Sequence, residues 1–176
     1  MRGQPQRHYT VDDYFAIEAD SPIKHEYYDG EIFAMARASL EHNEIAANVL
    51  AMLRTALRGS ECRAYGSDLR LMTPAGLFTY PDVMVICGRA ERVPRRPDTV
   101  VNPAVLVEVL SDATRDYDRG EKLALYKTIT TFREYLLIEQ ADVLVEHRQR
   151  GQRGAWRSRS YRRLDAAVPL SSVPLS

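Results

Sequence analysis

The chain has 176 residues, 24 Lys and Arg balanced by 24 Asp and Glu, 45% hydrophobic and 27% charged residues. That is an ordinary globular composition, long enough for one domain with its own core. No apolar run approaches the length of a bilayer span. The opening "MRGQPQRHYTVDDYF" lacks the apolar h-region of a secretory signal, so the expectation is a cytoplasmic protein with no membrane partner.

Thr10, with Asp13 three residues on, predicts a capped helix over "VDDYFAIEA", and Pro22 closes that region. "KHEYYDGEIFAMA" then reads as a hairpin around Asp29-Gly30, a pair that suits the positive φ of a two-residue turn. Ser39 caps a longer helix, "LEHNEIAANVLAMLRTALRG". Its Ile45, Val49, Met52, Leu53, Ala56 and Leu57 recur at helical spacing, and Gly59 ends it.

Short strands follow: "CRAY", "SDLRLM" and "YPDVMVIC". Cys62 and Cys87 form no CxxC and have no histidine at metal spacing. Reduced, packed thiols are expected rather than a bridge or a zinc site. Residues 88–103 are rich in Pro and Arg and read as an exposed loop. "AVLVEVL" is a strand and "SDATRDYD" a polar loop. "RGEKLALYKTI" is a helix capped by Asp118, with Glu121 at the reciprocal position. "EYLLIE", "VLVEHRQR" and "AWRSRSYRRL" are further strands.

Residues 147–163 hold seven arginines and no acid, and 164–176 carry only Asp165, so 1–146 sum to −6. A basic segment on an acidic body points to a polyanionic partner. It also suits an edge hairpin that uses arginine against aggregation. There is no repeat and no linker: one mixed α/β domain over 1–176, with 1–9 flexible and 164–176 a C-terminal tail.

Two strands carry one acid each. Asp82 shares a face with Met84 and Ile86, and Glu108 with Leu106 and Leu110, while the opposite faces are Val83, Val85, Cys87 and Val105, Val107, Val109. Strands apolar on both sides belong in the middle of a sheet. A lone carboxylate there is costly unless a cation, donors or a metal compensate. If the strands are neighbours, Asp82 and Glu108 can share one Mg²⁺ or Mn²⁺, which takes one or two carboxylates plus waters. The alternative is that each acid sits at a strand end and meets arginine. Lys122 stands early in its helix, against the macrodipole. It can return toward the Glu108 strand and orient a metal-bound water, or pair at the surface with Asp118.

"HEYYDGEI", "EHNEIAANVL", "YPDVMVIC", "VEVLS", "DYDRGEKLALY" and "REYLLIE" together resemble the Uma-two family of restriction-endonuclease-like proteins, a branch of the PD-(D/E)XK nuclease superfamily. The likeness runs over about residues 10–150. It implies a restriction-endonuclease-like α/β core, a central mixed β-sheet flanked by helices, preceded here by the N-terminal helix and hairpin. It also implies Mg²⁺-type metal and hydrolysis of nucleic-acid phosphodiesters. On that resemblance Asp82 is the acid of the Pro-Asp motif and Glu108 the acid of the second motif. The lysine expected two residues later is Leu110 here, and Lys122 takes its place from the following helix. Pro97-Asp98 is discounted as a loop. Glu26 matches a family acid, as third ligand or second-sphere acceptor, or is an ordinary strand glutamate. His42, in line with Ala46, Val49 and Leu53, matches a family histidine and is either catalytic or a phosphate contact, or else a satisfied core or capping group. The Val109 carbonyl joins the acids around the ion. Arg92, Arg95 and Arg96 in the loop, or the segment from Arg148 and Arg150 to Arg163, contact phosphates. DNA is the favoured substrate, and a homodimer is expected for cutting both strands. The rival is a catalytically silent nucleic-acid-binding or dimerisation module on the same fold.

Overall fold

The computed structural model describes residues 8–175. Most of the N-terminal stretch expected to be flexible lies outside the described residues, but Tyr9 is held, its N–H donating to the Gly30 carbonyl at 2.8 Å. Helix α1 (Val11–Asp20) starts at a reciprocal box, with Thr10 Oγ1 accepting from the Asp13 N–H and the Asp13 carboxylate accepting from the Thr10 N–H. Its Tyr14 and Phe15 pack with Tyr27 and Phe78 in a small aromatic core. Strands β1 (His25–Tyr28) and β2 (Glu31–Ala34) form the hairpin. Asp29 and Gly30 turn it with φ of 46° and 82°, as an Asp-Gly primed turn requires.

Helix α2 (Leu40–Ala56) opens with Ser39 Oγ accepting from the His42 N–H. Leu53 and Leu57 are buried, with Val49 and Leu50 packed beside them. Met52, expected on that stripe, is instead 71% exposed. At helical spacing the buried line through 49, 53 and 57 turns it outward.

The remaining strands are β3 (Cys62–Gly66), β4 (Arg70–Met72), β5 (Phe78–Thr79), β6 (Val83–Cys87), β7 (Arg92–Val93), β8 (Arg96–Val100), β9 (Val105–Leu110), β10 (Glu134–Glu139), β11 (Val145–Arg150) and β12 (Trp156–Tyr161). They build two six-stranded sheets, ordered β2-β1-β5-β4-β8-β7 and β12-β11-β10-β9-β6-β3. Both are mixed, since β4 runs parallel to β8 and β9 parallel to β10. The second sheet is the core. One of its faces, with Met84, Ile86, Leu106 and Leu110, packs on Leu123 and Tyr126 of the helical crossover and on Leu71 and Val100 of the first sheet. The other, with Val83, Val85, Val105 and Val107, packs on Leu53 and Leu57 and on Leu170 and Val173. The helix-flanked mixed sheet is thus as expected, with the N-terminal hairpin enlarged into a second sheet.

Four local expectations are corrected. Residues 88–103 are not a plain loop: β7 and β8 pair as a hairpin, and Thr99 and Val100 are buried where β8 joins β4. Pro97-Asp98 therefore lies in a strand, and Asp98 pairs with Arg70 at 3.2 Å, away from the second sheet. The helix after β9 is two pieces, α3 (Arg115–Arg119) and α4 (Glu121–Tyr126), broken at Gly120 (φ −110°, ψ −92°). Asp118 is consequently inside α3 and no cap; Gly120 precedes α4 without any side-chain cap. Cys62 and Cys87 are joined in a disulfide, because antiparallel β3 and β6 set them directly opposite. The C-terminal segment is no loose tail. Leu170 and Val173 are buried, and the Ser172 N–H donates to Glu134 Oε1 at 2.6 Å.

Candidate active site

Strands β6 and β9 are antiparallel, with Val83 opposite Val107 and Met84 opposite Leu106. One step further in that register brings Asp82, just ahead of β6, against Glu108. The Asp82 N–H lies 3.5 Å from Glu108 Oε2, and Asp82 Oδ2 accepts from the Val109 N–H at 2.7 Å. At Val109, where a carbonyl ligand was expected, it is this N–H that meets Asp82. The two acids share the face that carries Met84, Ile86, Leu106 and Leu110, as strand alternation demands.

Among the described residues, neither acid is paired with arginine. His42, in the first turn of α2, places Nε2 2.9 Å from Asp82 Oδ1. The hydrogen bond that His42 gives to Asp82 raises the His42 pKa, against the opposing effect of burial. Glu108 is met by Lys122, whose Nζ lies 3.0 Å from Oε1, and by the Tyr126 hydroxyl, which donates to the same oxygen at 2.6 Å. Lys122 is itself buried, 4% exposed, rather than the surface residue of the simple i, i+4 pairing. It does contact Asp118 at 3.3 Å, but Glu26 Oε1 is nearer, at 2.9 Å.

One lysine therefore stands among three carboxylates, and Glu108 carries the mismatch. Burial pushes its pKa up to about 8, with Lys122 pulling downward and Asp118 and Asp82 adding to the rise. The Lys122 pKa is raised as well. Burial disfavours its charge, yet Glu108, Tyr126, Glu26 and Asp118 hold its pKa well above the ordinary lysine value. Glu26 is also raised by burial, but Lys122, the Thr79 hydroxyl and Tyr117 outweigh that and keep it below the usual carboxylate range.

The sequence residues Asp82, Glu108, Lys122, Glu26 and His42 are thus brought together, with Glu26 placed as a counter-ion to Lys122. Sequence reasoning missed Asp118, Tyr126 and Thr79 as members of the cluster. Asp118, Lys122 and Tyr126 recur every four residues, which was the available signal for two of them. Arg95 and Arg96 are not in the cluster. They lie at the β7–β8 edge of the other sheet, where the Arg96 guanidinium stacks over Phe15 at 3.8 Å. Arg148 pairs with Glu146 and donates to the Arg119 carbonyl, and Arg150 follows it on β11, directly opposite Trp156.

Among the described residues, no group of three or more His, Cys, Asp or Glu side chains is spaced to cage a metal ion. The donors fit a sparser site. Both facing groups are carboxylates, and among the described residues Glu108 Oε2 has only the long Asp82 N–H contact. Mg²⁺ suits one or two carboxylates completed by waters and substrate phosphate.

The profile of one family, described as "Putative restriction endonuclease" (Uma2), matches residues 11–176. The chain belongs to the Uma2 family. Two uncharacterized proteins of Synechocystis sp. are similar over most of their length. Slr1290 is 32% identical over 95% of this chain and 87% of its own, and sll1609 is 33% identical over 80% of each. A crystal structure of a "putative nuclease belonging to DUF820" from Anabaena variabilis superposes with a TM-score of 0.76 at 19% identity, over 94% of this chain and 90% of that one. At that identity the likeness shows the fold. Uma2 membership places the chain among restriction-endonuclease-like nucleases.

Proposed function

We propose that this Uma2 protein is a metal-dependent endonuclease that hydrolyses phosphodiester bonds, in DNA by preference, with Asp82 and Glu108 holding Mg²⁺ or Mn²⁺. The observation that carries this reading is the facing of Asp82 and Glu108 across β6 and β9 with Lys122 3.0 Å from Glu108. Such an ion supplies Lewis-acid polarisation of the phosphate and a more acidic water.

This chain's residues do the rest. His42 and the Val109 N–H fix the Asp82 carboxylate from two sides. Tyr126 and Lys122 engage Glu108 Oε1, so that Oε2 is the oxygen left toward Asp82. Lys122, kept charged by Glu26 and Asp118, holds the attacking water and offsets charge growing on the phosphate oxygens. Cutting both strands of a duplex needs two such sites, which a symmetric homodimer supplies.

The test is cleavage of plasmid and of single-stranded DNA with and without Mn²⁺, by wild type and Asp82→Ala. Metal-dependent cleavage lost in the variant supports the reading, and equal activity in both rejects it. The silent-module reading draws on the engagement of Lys122 by three carboxylates. DNA binding indifferent to EDTA, with no cleavage, would favour it.

A further inference from the structure

Many of the arginines are neutralised within the fold. Arg70, Arg96, Arg115, Arg119, Arg148 and Arg163 each pair with a carboxylate. Arg54, Arg58 and Arg63 pair with none among the described residues, yet they converge on one open hollow of about 400 Å³ at the β3 edge of the second sheet. Buried Leu57 and Cys62 lie beneath it, and among the described residues no acid lines it. All three arginines are exposed.

The local fold gathers them. Helix α2 ends where the chain turns back into β3, with Arg54 in the last helical turn and Arg58 four residues on. Arg54 Nε donates to the Ala64 carbonyl at 3.3 Å, and Arg63 Nη1 donates to the Ser60 and Cys62 carbonyls. These bonds protect the free edge of β3, because they occupy carbonyls that an added strand would use. Edge protection accounts for the bonds but not for the surplus of donors. A guanidinium has five N–H groups. Arg54 gives the strand one of them, Arg63 bonds through Nη1 alone, and the Arg58 side chain has no bond among the described residues. Three such forks without a counter-charge match the oxygens of phosphate groups.

The hollow and the carboxylate pair lie along the same two elements. Helix α2 carries His42, the partner of Asp82, in its first turn and Arg54 in its last, about 18 Å further along the helix. Between them α2 runs close beside β3, since a Cβ on Gly66 would stand 3.2 Å from Leu50 Cδ2. Strand β3 neighbours β6, which starts next to Asp82, so no strand intervenes. Arg63 shares a face with Met84 and Ile86, the face of Asp82. Backbone charge recurs about every 3.4 Å along each strand of a duplex, so one strand lying over both places spans about five nucleotides between them.

We propose that Arg54, Arg58 and Arg63 form a site for the phosphate backbone of nucleic acid, about five nucleotides from the carboxylate pair, which holds substrate without reading its sequence. The choice of nucleic acid as the polyanion rests on the nuclease reading, whereas binding itself needs no metal.

The test is equilibrium binding in EDTA, by fluorescence anisotropy, of two DNA duplexes of unrelated sequence over a series of salt concentrations. Arg54→Gln with Arg58→Gln and Arg63→Gln should weaken both duplexes alike and flatten the slope of log affinity against log salt by about 3, one for each lost contact. Arg153→Gln with Arg157→Gln and Arg159→Gln removes the same charge from exposed arginines at the opposite, β12 end of the sheet and should leave the slope as in wild type. Arg54 and Arg63 also hold the edge strand, so Arg58→Gln, which breaks no bond, is the check on folding. It should flatten the slope by about 1 with the melting temperature unchanged. An unchanged slope in Arg58→Gln overturns the proposal, and so does an equal loss in the two triple variants, since the protein then responds to net charge alone. With Mn²⁺ added, Asp82→Ala should keep the wild-type slope and lose cleavage. Binding that depends on the three arginines, without any cleavage by wild type, would sink the nuclease reading and keep the arginine site; cleavage by wild type, with a slope that the Arg54, Arg58 and Arg63 variant shares, would do the reverse.

Discussion

The Tyr126 hydroxyl donates to Glu108 Oε1 at 2.6 Å, inside a core where both residues are almost wholly enclosed. Tyr126→Phe removes that donor and keeps the ring, which packs against Phe132 and Tyr135. The fold should survive with a loss of about 1–3 kcal/mol, the cost of a charged or polar group left short of a bond. Mn²⁺ affinity measured by calorimetry should change with it. Unchanged affinity would separate Tyr126 from the metal-facing role of Glu108.

Lys122 neutralises more than one partner. Lys122→Met should strand Glu26, Glu108 and Asp118 together and destabilise the protein by about 3–5 kcal/mol at neutral pH. Part of this should return in acid, where the carboxylates take up protons. Denaturant titrations at two pH values check it. A loss under 1 kcal/mol, typical of an exposed pair, would contradict the enclosure of this cluster.

The folded-state pKa of Glu134 is lowered. Burial raises it, but His147 and the Ser172 N–H and hydroxyl bring it below the ordinary carboxylate value. A depressed folded value contributes stability that is complete above the unfolded pKa and is lost as pH falls through the folded one. Melting temperature should therefore drop between pH 5 and pH 3 by less in Glu134→Gln than in wild type. Parallel pH curves would remove Glu134 from the acid response.

Cys62 and Cys87 close a loop with a separation of 25 residues. For that length the chain-entropy relation gives about 3.5 kcal/mol, and reductant should lower the melting temperature accordingly. Cys87→Ser should melt low with or without reductant. Free-thiol titration of the unfolded, unreduced protein should find no reactive cysteine. Two reactive thiols would refute the bridge.

Much of this was legible one strand at a time. The capping box at Thr10, the Asp29-Gly30 turn and the doubly apolar strands around Asp82 and Glu108 follow from local chemistry, and the structure has each of them. What stayed hidden depends on which strands meet. The cysteines lie 25 residues apart, and only the pairing of β3 with β6 brings them together. Residues 88–103 look polar because half of them are exposed to water, yet β8 is anchored by its last residues on β4. Asp118 read as a cap because Asp before a helix usually is one. The break at Gly120 and the nearness of Lys122 turn it inward instead. Candidate residues were found by type and strand position, whereas Tyr126 and Thr79 are plain core or strand residues until Glu108 and Glu26 are seen beside them.

The seal provided by Leu170, Val173 and the Ser172–Glu134 bond has a consequence for biosynthesis. The sheet that carries Asp82 and Glu108 can pair its strands before those residues emerge from the ribosome, but one side of it stays greasy until they do. A nascent chain stalled near residue 165 should therefore be a client for chaperones, and a tag or fusion placed there should hinder maturation more than one placed at the N-terminus.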